Sequence, residues 1–168
     1  MQPIHFECTK LIPEAATAIA ANIADLSRWS EFSGYGVLPG IANAEYVVRT
    51  NDMLGSCVRV HNTDGSQHLE EFCVWDLGLR PGPQIVIKLH EFSPPLNRLA
   101  THFIEAWQFE THNSATLVRR SFQLFPKQPL TRPCLWLIAL LFKRAIARHL
   151  AEMAAEAEGV KGLYGNRI

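Results

Sequence analysis

No apolar run in this sequence is long enough to cross a bilayer: the longest, Cys134 to Phe142, falls far short of the roughly 20 residues that crossing requires. An excess of charge is also missing. The 16 Lys and Arg residues balance 16 Asp and Glu, so the cationic footprint that phosphate-backbone binding needs is absent and nucleic acid is not an expected partner. The opening residues MQPIHFECTK lack the basic-then-apolar layout of a signal peptide, which gives the expectation of a soluble, cytoplasmic protein with no transmembrane segment. Cysteine is sparse and scattered: Cys8, Cys57, Cys73 and Cys134 form no CxxC pair. They read as reduced thiols acting as small hydrophobes, and neither a disulfide framework nor a zinc site is expected. P-loop, dinucleotide-binding glycine, GxSxG and HExxH patterns are all missing, which removes the commonest nucleotide-dependent, serine-hydrolase and zinc-protease readings; no cofactor and no metal is expected. No repeat, charge block or low-complexity stretch divides the chain, so residues 1–158 are expected to form one domain, followed by a tail at 159–168.

What is present is alternation. Ile4, Phe6 and Cys8 interleave with His5, Glu7 and Thr9, the period-two pattern of a strand with one buried side. Ala16, Ile19, Ala20, Ile23 and Leu26 recur at helical spacing after Pro13, which suits a first helical turn. The stretch from Arg28 to Gly40, with Trp29, Phe32 and Tyr35, reads as a short helical turn and a loop. Strand-like runs follow at Ile41–Thr50, Ser56–Asn62, Gln67–Leu77, Gln84–Glu91, Ala100–Thr111 and Ser114–Phe125. A long helix is expected from Thr131 to Glu158, ended by Gly159.

Turn chemistry sets an expected register for two hairpins. A two-residue turn at Asp64-Gly65 puts Val58 opposite Glu71, Val60 opposite Leu69, Arg59 opposite Glu70 and His61 opposite His68. Val58, Val60, Leu69, Glu71, Cys73 and Trp75 would then share the inner face, leaving Arg59, His61, His68 and Glu70 outside. Two histidines opposed across a hairpin could in principle hold a metal, but no third ligand is placed near them. A two-residue turn at His112-Asn113 puts Phe103 opposite Phe122, Glu105 opposite Arg120 and Trp107 opposite Val118. Within the closing helix Leu135, Ile138, Ala139, Phe142, Ile146, His149, Leu150 and Met153 fall on one stripe. Its first two turns, from Leu135 to Phe142, are apolar all round, which would suit a homodimer or a membrane-surface contact.

The order strand, helix, helical turn, six strands and long helix resembles the START-like superfamily, also called SRPBCC, and within it the polyketide cyclase/dehydrase-like proteins. The segment IPEAATAIAANIADLSRWSEF from Ile12 is similar to the family's opening, GSCVRV from Gly55 looks like its Gly-led third strand, and LEEFCVWDLG looks like the strand after it. The chain departs from the usual pattern where Leu77-Gly78, rather than a pair of prolines, follows Trp75-Asp76. The resemblance implies an α+β helix-grip fold of about seven strands, β-α-α-β6-α, in which a curved antiparallel sheet wraps the last helix around a cavity. It implies binding of lipids, sterols, polyketides, hormones or quinones, with cyclisation or dehydration in some members, and no shared catalytic signature.

The expected function is therefore binding or transport of a small hydrophobic or amphipathic ligand. The alternative is a cofactor-free cyclase or dehydratase working in the same cavity. Arg120 with Glu105 is the expected polar anchor, because an unpaired charge on the inner face would be costly and a guanidinium recognises oxygen groups well. Tyr46, Trp75, Trp107, Phe122 and Phe142 are the expected aromatic wall. If the protein is an enzyme, Glu71 and His149 are the acid/base candidates, the first through burial and the second through its titration range. Glu91, at a strand end, is expected in solvent. The segment FSPPLNRL from Phe92 to Leu99 reads as an ordinary Pro-stiffened hairpin loop, with a gate over the entrance as the alternative.

Overall fold

Alternation and turn residues build a single sheet that closes onto one long helix. The structure is a computed structural model that describes residues 2–78 and 82–165, the side chains of 160–165 excepted. In chain order the elements are β1 (Ile4–Ile12), α1 (Ala16–Ala24), a 3-10 turn (Leu26–Glu31), β2 (Ile41–Val48), β3 (Cys57–Asn62), β4 (Gln67–Asp76), β5 (Gln84–His90), the short α2 (Leu96–Leu99), β6 (Ala100–His112), β7 (Ala115–Pro126), a second 3-10 turn (Pro129–Thr131) and α3 (Arg132–Gly165). The seven strands form one antiparallel sheet in the order β1-β7-β6-β5-β4-β3-β2. Register shifts in β2, at Phe72/Val74 and at Ala100/His102 mark bulges, the device that bends a sheet and strengthens its twist. This is the helix-grip architecture.

Two boundaries differ from expectation. Pro13 lies outside α1, which begins at Ala16 with Ala15 as an uncapped N-cap, because the chain leaves β1 through Pro13 before it turns into the helix. At the other end α3 runs on past Gly159. A mid-helix glycine costs only about 1 kcal/mol, so Gly159 does not stop a helix that is already packed along its length.

The core lies between the concave face and α3. Ile4, Phe6 and Ile12 of β1 are buried, as are Leu135, Ala139, Ile146 and Leu150 of the helix. The apolar stripe anticipated for α3 is the face that turns inward, with Ile138, Phe142 and Met153 packed against the same cluster. Phe142 is the centre of this packing, with ring centroids of Phe122, Phe6, Phe103 and Phe32 at 4.5, 5.7, 6.3 and 6.4 Å. Fully burying such a ring is worth about 2–3 kcal/mol through area alone.

The first hairpin register is corrected by one residue. The observed pairs are Val58 with Glu70, Val60 with His68 and Cys57 with Glu71, so His68 and Glu70 face inward and Leu69, Glu71 and Cys73 do not. The loop holds three residues, not two: Asn62 N donates to Ser66 O at 2.8 Å and Gly65 N to Asn62 O at 3.0 Å, with Gly65 at φ 84°. Thr63 is unable to enter the ladder because it is tied to Gly40, its N donating to Gly40 O at 2.9 Å and its Oγ1 accepting from Gly40 N at 3.1 Å. Asp64 Oδ1 then accepts from Ser66 N and Oγ at 2.9 and 2.6 Å, closing the wider loop. A one-residue slip exchanges the two faces of β4 as far as the bulge between Phe72 and Val74, beyond which Trp75, opposite the buried Ile85, is on the inner face again.

The second hairpin slips by two and so keeps its faces. Its turn residues are Asn113, at φ 54°, and Ser114, with His112 opposite Ala115. Phe103, Glu105, Trp107, Val118, Arg120 and Phe122 remain inward, but Arg120 now pairs with Trp107 and Phe122 with Glu105.

Candidate functional site

Between the concave sheet and α3 lies a cavity of about 390 Å³, within the size range of small-molecule sites. Its walls are mostly apolar: Ile87, Leu89 and Phe103 from the sheet, and Ile138, Leu141 and Phe142 from α3. Trp29 and Phe32 from the 3-10 turn and Phe92 from the β5–α2 loop complete the wall. The exposed Val37, Asp64, Pro94 and Pro95 are also part of the lining, so the mouth opens where the 33–40 loop, the β3–β4 turn and the Phe92–Leu99 loop meet. The last of these, read from the sequence as an ordinary loop with a gate as the alternative, borders the entrance.

Two arginines strap the rim to α3. Arg28 bonds Glu31 at 3.1 Å and Glu156 at 2.5 Å, joining the 3-10 turn to the helix. Arg148 donates to Ser33 Oγ and, at 2.6 Å, to Gly34 O. Gly34 sits at φ 70°, and a Cβ there would lie 2.1 Å from the Leu38 carbonyl oxygen, so this tight loop accepts only glycine.

The polar floor is built from β6, β7 and α3. Arg120 Nε donates to Glu105 Oε1 at 2.5 Å, and its Nη1 lies 3.1 Å from His149 Nδ1. The guanidinium stacks over Trp107, its cross-strand partner, at 4.2 Å from the ring centroid. Glu105 is 3% exposed. Burial pushes its carboxyl above the usual range, Arg120 opposes that shift, and the nearby Glu70 carboxylate adds to it. His149 is driven the other way, to about 3, by burial and then by the charges of Arg120 and Arg28. It is therefore a neutral imidazole at physiological pH. A guanidinium has no acceptor, so His149 Nδ1 accepts and the ring proton resides on Nε2. His149 lines the cavity and offers it a hydrogen-bond donor.

A second pair faces the same space from β4 and was not anticipated as part of the site. His68 Nε2 lies 3.0 Å from Glu70 Oε1, with side chains 12% and 9% exposed, and both line the cavity. The three-residue loop is what places them there. The sequence does carry a signal for it, since a glycine in the left-handed region is what a three-residue hairpin loop needs.

Of the residues expected at the site, Arg120, Glu105, Trp107, Phe142 and His149 line the cavity together. Phe122 lies one layer beneath, fully buried and packed on Phe6 and Phe142. Trp75 packs edge-on against Phe72 at 5.6 Å and Tyr46 donates its hydroxyl to Ala24 O, at the end of α1, at 2.9 Å; neither belongs to the lining. Glu71 faces the opposite side, 45% exposed, with His90 at 3.9 Å. Glu91 is exposed at the end of β5, as expected. His61 stays on the outer face near Glu45, 3.6 Å away, so the two histidines expected to share that face are separated by the sheet.

No family model matches the chain, and no curated protein matches it. Solved structures do. The Zhui aromatase/cyclase of Streptomyces sp. R1128 superposes with a TM-score of 0.69 at 15% identity, over 92% of this chain and 93% of that one. The major latex-like protein 151 of Panax ginseng gives a TM-score of 0.58 at 15% identity, over 89% and 98% of the two chains. A START superfamily protein of Mycobacterium smegmatis gives 0.58 at 13% identity, over 89% and 98%. Likeness at this identity establishes the fold, and the chain has the START-like helix-grip fold.

Proposed function

We propose that this protein binds a small amphipathic molecule, predominantly apolar and uncharged, with a carbonyl or hydroxyl group at its buried end. The observation that carries the reading is the makeup of the cavity floor. Arg120 is the expected anchor, yet its charge is already matched by Glu105, and Glu70 stands nearby. A ligand carboxylate would have to desolvate beside two acidic groups, whereas a ketone can accept from His149, and a phenol can in addition donate to Glu70, without carrying charge into the floor. The neighbours in fold include a START superfamily protein and an aromatase/cyclase, which agrees with apolar-ligand handling of this kind.

A second reading is a cofactor-free cyclase or dehydratase. It draws on His68 and Glu70, a carboxylate–imidazole pair facing the cavity at acid/base distance. Glu71 has no access to the cavity, and His149, with its basicity suppressed to about 3, is suited to hold a carbonyl rather than to take up a proton. In this reading Glu70→Gln abolishes turnover while binding persists.

Titration with 2-naphthol and 2-naphthoate at pH 7 tests the binding proposal on one ring system. The uncharged phenol should bind about tenfold or more tightly than the anion, a difference of about 1.4 kcal/mol. Glu70→Gln should narrow that gap, and Glu71→Gln should leave both affinities unchanged. Tighter binding of the naphthoate would overturn the proposal.

A further inference from the structure

The outer side of the same helical turns that cover the cavity is bare. Leu130 is 87% exposed, Leu137 58%, Trp136 52% and Leu140 42%, and Cys134 between them is exposed as well. These side chains form one continuous apolar surface over the second 3-10 turn and the first three turns of α3. No helix among the described residues is long and apolar enough to cross a membrane, so this surface can lie on a bilayer without entering it as a span.

The charge around it selects the occupant. Between Glu110 and Glu152 the sequence contains no Asp or Glu, while Lys127, Arg132, Lys143 and Arg144 all stand exposed. A second copy of the chain docked through this patch about a two-fold axis would bring these cations against their own counterparts. An anionic lipid surface would instead receive the apolar side chains at its interface and pair its headgroups with the surrounding cations, with Trp136 at the depth that indole favours. We infer that the start of α3 is a docking surface for an anionic lipid bilayer.

The placement also connects the surface to the cavity mouth. Lys127 Nζ donates to Asn97 O at 3.0 Å, and the Thr131 hydroxyl lies 2.9 Å from Leu99 O. The Phe92–Leu99 loop at the entrance is thus tied to the edge of the docking surface, and docking would bring the mouth's Pro94 and Pro95 towards the lipid. The inference itself rests on the exposed surface and not on the cavity's occupant, so either can fail without the other.

Co-sedimentation of the full chain with vesicles of phosphatidylcholine, and of phosphatidylcholine mixed with phosphatidylglycerol, tests it. Binding is expected to the anionic vesicles, to weaken with added salt, and to shift tryptophan emission to the blue in a way that Trp136→Phe removes. Lys143→Gln with Arg144→Gln should lower partitioning by about thirtyfold, and Leu137→Asp with Leu140→Asp should abolish it. All four positions are solvent-exposed, and unchanged circular dichroism verifies the fold of each variant. Failure to bind anionic vesicles at low salt, or equal binding by the Leu137→Asp/Leu140→Asp variant, would overturn the inference. So would a concentration-dependent dimer that the same two substitutions dissolve.

Discussion

Replacing Arg120 by methionine is expected to cost about 3–5 kcal/mol of folding stability, measured by urea denaturation at pH 7.5. The cause is what the substitution leaves behind. Glu105 is 3% exposed, and without the guanidinium at 2.5 Å its charge has no compensation in the cavity floor. The loss should therefore depend on the second partner: the double variant Arg120→Met/Glu105→Leu should recover most of it, since an apolar pair of similar volume avoids desolvation altogether. It should also depend on pH. The Glu105 carboxyl is already pushed above its ordinary value by burial, and loss of Arg120 pushes it further. A raised folded-state value means that the native state holds the proton more tightly than the unfolded chain, so stability is greatest below the unfolded value and falls as pH rises through the folded one. The deficit of Arg120→Met should accordingly shrink as pH is lowered towards 5. A single substitution that costs under about 1 kcal/mol would show that the pair is solvated and not a buried floor.

The second large effect belongs to His149 and has the opposite sign. Its ordinary value of 6.5 falls to about 3 in the fold, so the unfolded chain binds this proton more readily than the native state. Stability from this group is fully present above 6.5 and is lost as pH falls from there towards 3. Each pH unit is worth about 1.4 kcal/mol, giving about 4–5 kcal/mol over the window. The groups around it shape the slope: Arg120 and Arg28 disfavour the imidazolium, Phe32 closes one face at 5.7 Å, and Glu105 works in opposition by taking up its own proton on acidification. The difference between wild type and His149→Gln isolates the imidazole. Its stability-versus-pH curve should be flatter by about one proton between pH 6 and 4. Parallel curves would contradict the buried, neutral imidazole and remove the donor on which the proposed carbonyl contact depends.

Both effects rest on residues that were legible in the chain, and the reasons are specific. Arg120 and Glu105 share a face whether the β6–β7 turn falls at His112-Asn113 or one residue later, because moving a two-residue turn by one shifts the pairing by two. His149 follows from helical spacing along α3, which the packed stripe from Leu135 to Met153 obeys. The strand segments along the chain were equally readable from period-two runs separated by turn residues. The β3–β4 register was less so, since Gly65 suits a two-residue turn as well as the left-handed position of a three-residue loop, and the contact that decides between them, Thr63 with Gly40, joins residues 23 apart in sequence. That contact exchanges Glu71 for Glu70 at the site and brings His68 with it. Tyr46 and Trp75 were misplaced for another reason: their strand faces are right, but which part of the concave surface is hollow depends on where α1 and the 3-10 turn come to rest. Side-chain alternation reports a face and says nothing of what stands in front of it.

For the proposed ligand to bind, the space between the sheet and α3 has to be a receptacle for an uncharged amphipathic molecule. Native mass spectrometry of the freshly purified protein, before and after solvent extraction and then after incubation with 2-naphthol, tests that most directly. The expected result is either a co-purified small molecule that extraction releases and that carries a carbonyl or hydroxyl without formal charge, or stoichiometric uptake of naphthol by the emptied chain. A protein that is repeatedly bare and takes up no naphthol, or one that retains an anionic ligand, would contradict it.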